Sequence, residues 1–206
     1  MQKKILRAII FIFLCLFVVN LPLSAATSLA GGELKAGGHI RLEGQRVLAE
    51  EEVSFSYQEF VFYGQSFSFD TSSQELVIER ELRAVSGDYV LTGELLEGNL
   101  DQEVIDVFGG VLLEGPDVRA AGRSFGYRGS ENELSLQEEV EFSYMELTAT
   151  AGKLIYDIEK QLVLLQEGVS GSREGQEFTA TRVEIDLQQD TIELQGEASI
   201  KFNGGE

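Results

Sequence analysis

Among the 206 residues there are two prolines, one cysteine, one histidine and no tryptophan. One histidine cannot complete a metal site or a nucleophilic triad. A lone cysteine cannot close an internal disulfide. Basic residues are scarce too: 16 Lys and Arg stand against 35 Asp and Glu, a formal charge of −19. Nucleic-acid binding needs clustered Lys and Arg to meet phosphates. Passive adhesion to anionic lipid headgroups needs the same clusters. The charge argues against both, and its ordinary role is to keep an edge-rich sheet protein soluble and apart from its copies.

What the chain does have is 43% hydrophobic residues and 22 glycines. That content rules out a disordered tail and suits a sheet protein with many turns. The length is enough for one medium domain with a sizeable core.

Residues 1–30 read as an export signal, with a signal helix ahead of the mature domain. Lys3, Lys4 and Arg7 give a basic start, Ala8 to Val19 is an unbroken apolar run, and Asn20, Leu21 and Pro22 end it. Small residues then offer cleavage near 26 or 30. The run is short for a bilayer span of roughly 20 residues, and a retained inner-membrane anchor is the alternative reading. Cys15 lies inside the run behind Leu14, which is not the small residue a lipoprotein cut requires. Cleavage would remove three cations (−19 − 3 = −22) and the only thiol.

The rest of the chain repeats. Residues 151–169, AGKLIYDIEKQLVLLQEGV, align without a gap on residues 180–198, ATRVEIDLQQDTIELQGEA, at an offset of 29. Further steps of 29 reach 122, 93, 64 and 35, so six units fill the chain from about Gly31 to Gly204. One column holds Phe67, Leu96, Phe125, Leu154 and Val183. A second holds Val47, Leu76, Ile105, Leu134, Val163 and Ile192, and a third Ile78, Val107, Leu136, Leu165 and Leu194. A fourth runs Val53, Leu82, Val111, Val140, Val169, Ala198. A fifth is small throughout: Gly64, Gly93, Gly122, Ala151, Ala180. The first unit is degenerate, with Gly38 where a large apolar residue belongs.

Within a unit the period is two. Val183, Ile185 and Leu187 alternate with Arg182, Glu184 and Asp186, and Ala198, Ile200 and Phe202 alternate with Ser199 and Lys201. Such alternation puts apolar residues on one sheet face. Turn residues such as 70–73, 128–132 and 188–190 separate the runs. Each unit is expected to hold two or three short strands, with no helix after residue 30. The fold class is all-β: an elongated rolled antiparallel sheet or β-jellyroll of about six 29-residue repeats. Its apolar face must be covered, and its two ends are open sheet edges.

Chemistry-bearing patterns are few. His39 sits beside Gly37 and Gly38 and reads as an exposed turn residue. Asp70, Asp157 and Asp186 share a column, which puts them one per unit at strand ends rather than in a convergent pair. No loop has the dense oxygen spacing of a calcium site. Gly109-Gly110 and Gly37-Gly38 read as turn glycines, because no helix or Lys-Ser/Thr pair follows to make a phosphate loop. No catalytic residue, metal or cofactor is expected.

The string Ala151-Gly152-Lys153-Leu154-Ile155-Tyr156-Asp157, then Leu162 to Leu165, then Glu167-Gly168-Val169, resembles the OstA/LptA family of lipopolysaccharide-transport proteins. Residues 180–198 repeat the pattern with Ile185 in place of the tyrosine. The resemblance is clearest over 118–202. It implies an OstA/LptA-like β-jellyroll over 31–206 that carries acyl chains of lipopolysaccharide or a related glycolipid between two sheets. It implies a periplasmic bridge formed by end-to-end stacking, with LptC-like and LptD-like proteins, or further copies head to tail, at the sheet edges. The expected lipid-facing set is Phe67, Phe69, Leu96, Ile105, Val107, Phe125, Tyr127, Leu134, Leu136, Leu154, Tyr156, Val163, Leu165, Val183, Ile185, Ile192 and Leu194. The other reading of the same face is packed core, the default for alternating apolar residues. On that reading the chain is a non-catalytic structural or adhesive β-repeat protein of the envelope.

Overall fold

A computed structural model describes residues 32–57 and 60–202. The expected signal segment, its cleavage site and Cys15 lie outside the described residues.

The described residues form one antiparallel sheet of fourteen strands. The strands are β1 (Glu33–Lys35), β2 (Ile40–Glu43), β3 (Arg46–Tyr57), β4 (Phe60–Asp70), β5 (Glu75–Ser86), β6 (Tyr89–Asn99) and β7 (Val104–Glu114). They continue as β8 (Val118–Arg128), β9 (Glu133–Tyr144), β10 (Leu147–Asp157), β11 (Leu162–Arg173), β12 (Gln176–Asp186), β13 (Thr191–Gln195) and β14 (Ser199–Lys201). From β3 to β13 each strand pairs with the next. Odd strands begin at Arg46, Glu75, Val104, Glu133, Leu162 and Thr191, and even ones at Phe60, Tyr89, Val118, Leu147 and Gln176, each series in steps of 29. The repeat is therefore a hairpin of two strands of 11 or 12 residues, not two or three short ones. Twelve strand positions spaced by ~4.8 Å give a stack roughly 50 Å long.

Every long strand is interrupted at the same level. On the odd strands two consecutive residues adopt positive φ: Glu51-Glu52, Arg80-Glu81, Gly109-Gly110, Glu138-Glu139 and Glu167-Gly168. Each pair opposes a single residue on the neighbouring even strand, so every ladder from β3–β4 to β11–β12 shifts register there. Two residues against one is a β-bulge, which bends the strand and increases its twist. With the bulges in line, the sheet creases into two walls. Gly109-Gly110 thus lies inside β7 and makes a bulge, correcting the expectation of a turn: the left-handed backbone is needed mid-strand, not at its end. Gly37-Gly38 breaks the first strand into β1 and β2 at the same level, where both N–H groups donate to the carbonyls of Glu51 and Glu50. Gly196, at φ +84°, separates β13 from β14.

The crease explains the small column. Side chains of the next strand fill the space there: a Cβ on Gly64 would stand 2.5 Å from Ile78 Cγ2, and one on Gly93 2.6 Å from Val107 Cγ1. The aspartate column caps turns. Asp70 Oδ1 accepts from the N–H of Ser72 and Ser73, Asp157 Oδ1 from Lys160, and Asp186 Oδ1 from Gln188 and Gln189. The turns also stack: Thr71, Leu100, Gly129, Ile158 and Leu187 each donate a backbone N–H to the preceding turn of that rim. The one helical piece among the described residues is a 3-10 turn, Gly129–Glu131, in this series. His39 is exposed between β1 and β2.

Gly93→Val, which forces two branches into the crease, is expected to cost about 1–3 kcal/mol in urea unfolding. Arg80→Gly, which places at φ +61° the residue its repeat partner Gly109 already supplies, is expected to stabilise by about 1 kcal/mol. Asp70 also carries a pH prediction. Its carboxyl is held well below the ordinary carboxylate range by the Ser72 hydroxyl and the Ser72 and Ser73 amides. A folded value below the unfolded one gives stability that is complete above about pH 4 and lost as the pH falls through the folded value. Asp70→Asn, which does not titrate, should flatten the stability curve between about pH 5 and pH 2.

Candidate functional site

The two walls face each other across an apolar interior. The cross-strand register lays the expected lipid-facing residues in two unbroken rows on one wall. The row nearer the crease runs Phe67, Ile78, Leu96, Val107, Phe125, Leu136, Leu154, Leu165, Val183, Leu194. The outer row runs Phe69, Leu76, Gly98, Ile105, Tyr127, Leu134, Tyr156, Val163, Ile185, Ile192. All seventeen expected residues lie in these rows. Fifteen of them are buried, while Ile192 and Leu194, on the last short strand, are half-buried. Ala198, Ile200 and Phe202, expected on the same covered face, are exposed at the C-terminal edge.

The opposite wall was not among the expected site residues. Its inward row runs Phe55, Phe62, Ala84, Leu91, Leu113, Ala120, Phe142, Ala149, Gly171, Phe178. Size varies along it, and that variation sets the shape of the interior. At the N-terminal end phenylalanines fill the gap: Phe55 on this wall meets Phe67 on the other with ring centroids 5.1 Å apart, and Phe55 also stacks on Phe62. In the middle, alanines leave room. One cavity of about 70 Å³ lies among Ala120, Phe142 and Tyr144 on this wall and Phe125, Leu154 and Tyr156 on the other. A second, of about 60 Å³, lies among Ala84, Leu91 and Leu113 and, opposite, Leu96, Ile105 and Tyr127.

These volumes decide what the closed state can hold. A cavity of ~150 Å³ takes one benzene, so neither space admits a whole acyl chain while the walls stay together. The walls are continuous along the crease and end, on the far side, in two separate series of turns. Near the C-terminus a side-chain tie spans these rims: Arg173, at the end of β11, reaches Asp190 in the β12–β13 turn at 2.8 Å.

Polar groups enter the interior only at its rim. Tyr89 and Tyr144 come from one wall and Tyr156 from the other, close enough that Tyr144 raises the cost of ionising Tyr89 and both raise that of Tyr156. Burial is the main cause: it pushes the Tyr156 phenol up to about 12, and Tyr127 likewise. All therefore stay neutral near pH 7. The Tyr156 hydroxyl is buried and has no hydrogen-bond partner, an arrangement that costs about 1–3 kcal/mol. Outside, charges pair at the surface. Arg123 makes a bidentate contact with Glu139 of the neighbouring strand along the crease, which lowers the Glu139 carboxyl through that bond.

Among the described residues no group of three or more His, Cys, Asp or Glu could hold a metal ion. No helix among them is long and apolar enough to cross a membrane. What the arrangement can do is shelter apolar matter between two walls hinged along one side.

No family model matches the chain, and no curated protein matches it significantly. Among solved structures it is similar to LptH, the LptA-homologous periplasmic component of the conserved lipopolysaccharide transport device from Pseudomonas aeruginosa. The two are 17% identical with a TM-score of 0.50, and the alignment covers 71% of this chain and 96% of LptH. At that identity the likeness is one of fold, and the fold of the chain is the LptA-like β-jellyroll.

Proposed function

We propose that the protein is a non-catalytic periplasmic carrier that shields the acyl chains of lipopolysaccharide or a related glycolipid between its walls and passes them along a bridge between the two membranes. The observation that carries this reading is the apolar double wall, continuous over ten strands, whose backbone is shared only along its crease. Each acyl methylene costs about 0.8 kcal/mol in water, so a chain of a dozen costs on the order of 10 kcal/mol to expose. Parted walls lined by Phe125, Leu154 and Val183 would remove most of that cost. Neighbouring rows repeat the same lining, so a chain could advance without a deep trap. The small closed cavities mean that loading requires the rims to separate.

End-to-end assembly belongs to the same proposal. Both sheet edges are short, broken strands that carry exposed apolar residues: Ile40 and Leu42 at one end, Ile200 and Phe202 at the other. Unpaired edges of this kind accept a strand from another chain. LptC-like and LptD-like proteins, or further copies head to tail, are the partners the reading requires. Residues 31–206 would form the working domain after removal of the segment before it.

The rival is a structural or adhesive stack with a permanently closed interior, which the modest cavity volumes favour. The two separate on bound lipid. Protein purified from membranes without detergent should yield acyl-bearing lipid on extraction and mass spectrometry. Ala120→Leu, which fills the larger cavity, should keep or raise the Tm and reduce the recovered lipid at least ~5-fold, about 1 kcal/mol or more in binding. Glu141→Lys on the outer surface should leave the load unchanged. A wild-type protein free of acyl lipid would establish the structural reading instead.

A further inference from the structure

We infer that the Tyr156 hydroxyl is a recognition group that hydrogen-bonds the carbonyl joining an acyl chain to its headgroup, so that it sets the depth at which an amphiphile seats between the walls. The inference rests on the carrier reading and adds to it a chemical class of linkage and a register.

Three observations converge. First, Tyr156 lines the larger cavity, is 7% exposed, and has a hydroxyl without a hydrogen-bond partner in a lining whose other polar members are Ser135, Tyr89 and Tyr144. Buried hydroxyls ordinarily find a partner, and a phenylalanine would pack here at no polar cost. The same column carries Phe69 and Ile185 in other units, so the fold itself does not demand a phenol. Second, the position is the last inward-facing one of β10. Asp157 follows and caps the turn through the Lys160 N–H, so the phenol stands in the last strand row before the rim, with buried Ile158 beyond it. An acyl chain lying in the cavity brings its first polar atoms to that level. Third, the surrounding field selects among polar atoms. Asp117 acts on Tyr89 and Tyr144, and Asp157 on Tyr156. The nearby cations are already engaged, Lys160 with Asp157 at 2.6 Å and Arg173 with Asp190 at 2.8 Å, so no unpaired cation stands ready for a phosphate or carboxylate beside the phenol. A neutral donor in such a setting fits an uncharged acceptor, and an ester or amide carbonyl is the uncharged acceptor that every acylated headgroup carries.

The test compares two synthetic glycolipids with the same sugar and the same two dodecyl chains, one joined through esters and the other through ethers. Binding is measured by displacement of a fluorescent fatty-acid probe from the full chain. The wild type should prefer the ester by about 5–10-fold, the discrimination expected of one neutral hydrogen bond. Tyr156→Phe should bind the ether form as the wild type does and lose the preference, with a Tm equal to or above the wild type because an unmet donor is gone. Glu141→Lys, on the outer surface, should retain the preference. Equal loss of both lipids in Tyr156→Phe, or no preference in the wild type, would overturn the inference while leaving a carrier intact. A wild type that binds neither lipid would overturn the carrier reading and this inference with it.

Discussion

One backbone feature governs this molecule: a pair of left-handed residues placed in every second strand at intervals of 29. A flat antiparallel sheet of this size would expose one apolar face to water. The paired positive φ values insert one residue into each ladder, and because the insertions lie in line they act as a single crease. Seven of the ten residues concerned are not glycine, and the left-handed region disfavours such residues by about 1–2 kcal/mol each. The crease persists because it brings two apolar walls into contact, a gain far larger than the local strain. It also fixes register. A slip of one residue would move every inward side chain to the outer face and would set the bulges out of line.

The crease ties the other regularities together. Small residues at 64, 93, 122, 151 and 180 occupy its inner side, where at Gly64 and Gly93 side chains of the next strand leave no room for a Cβ. Charged pairs such as Arg123 with Glu139 hold its outer side. The turn series on the far rim repeats the same spacing through backbone bonds from Thr71, Leu100, Gly129, Ile158 and Leu187. Where the period has no neighbour left to stack on, at either end, the strand does not bend but breaks: β1 from β2 at Gly37-Gly38, and β13 from β14 at Gly196.

Much of this was legible in the sequence because it is periodic. The offset of 29, the alternation within units and the two rows of one wall all follow from columns whose chemistry hardly changes, such as Phe67 to Val183. The opposite wall escaped notice because its inward column runs from Phe62 through Ala120 to Phe178, and a column that mixes alanine with phenylalanine looks unconstrained. The crease escaped too. Glu138-Glu139 and Gly109-Gly110 share no side-chain property, and only backbone conformation makes them equivalent. Gly109-Gly110 therefore read as a turn, the usual reason for adjacent glycines. Charge spacing could have suggested the truth, since Glu-rich pairs recur at 51, 80 and 138 within otherwise apolar strands.

The irregular wall carries the more consequential information. Identical units would give a uniform interior, either solid throughout or open throughout. Here phenylalanines close the N-terminal end, while Ala84 on β5 and Ala120 on β8 thin the wall on either side of Leu91 and Leu113, the second of which lies on β7, the strand whose bulge is made by two glycines. Glycine has no left-handed penalty and a wider range of accessible backbone angles than Glu or Arg. The most compliant stretch of crease thus lies between the two cavities, one beside Ala84 and the other beside Ala120. Resistance to parting the walls is set by the contacts between them and by the stiffness of their hinge, and the hinge is least stiff there. On the carrier reading, a chain entering from the side would meet a yielding hinge at mid-stack, within reach of the Tyr89, Tyr144 and Tyr156 rim, and would advance from there toward either edge.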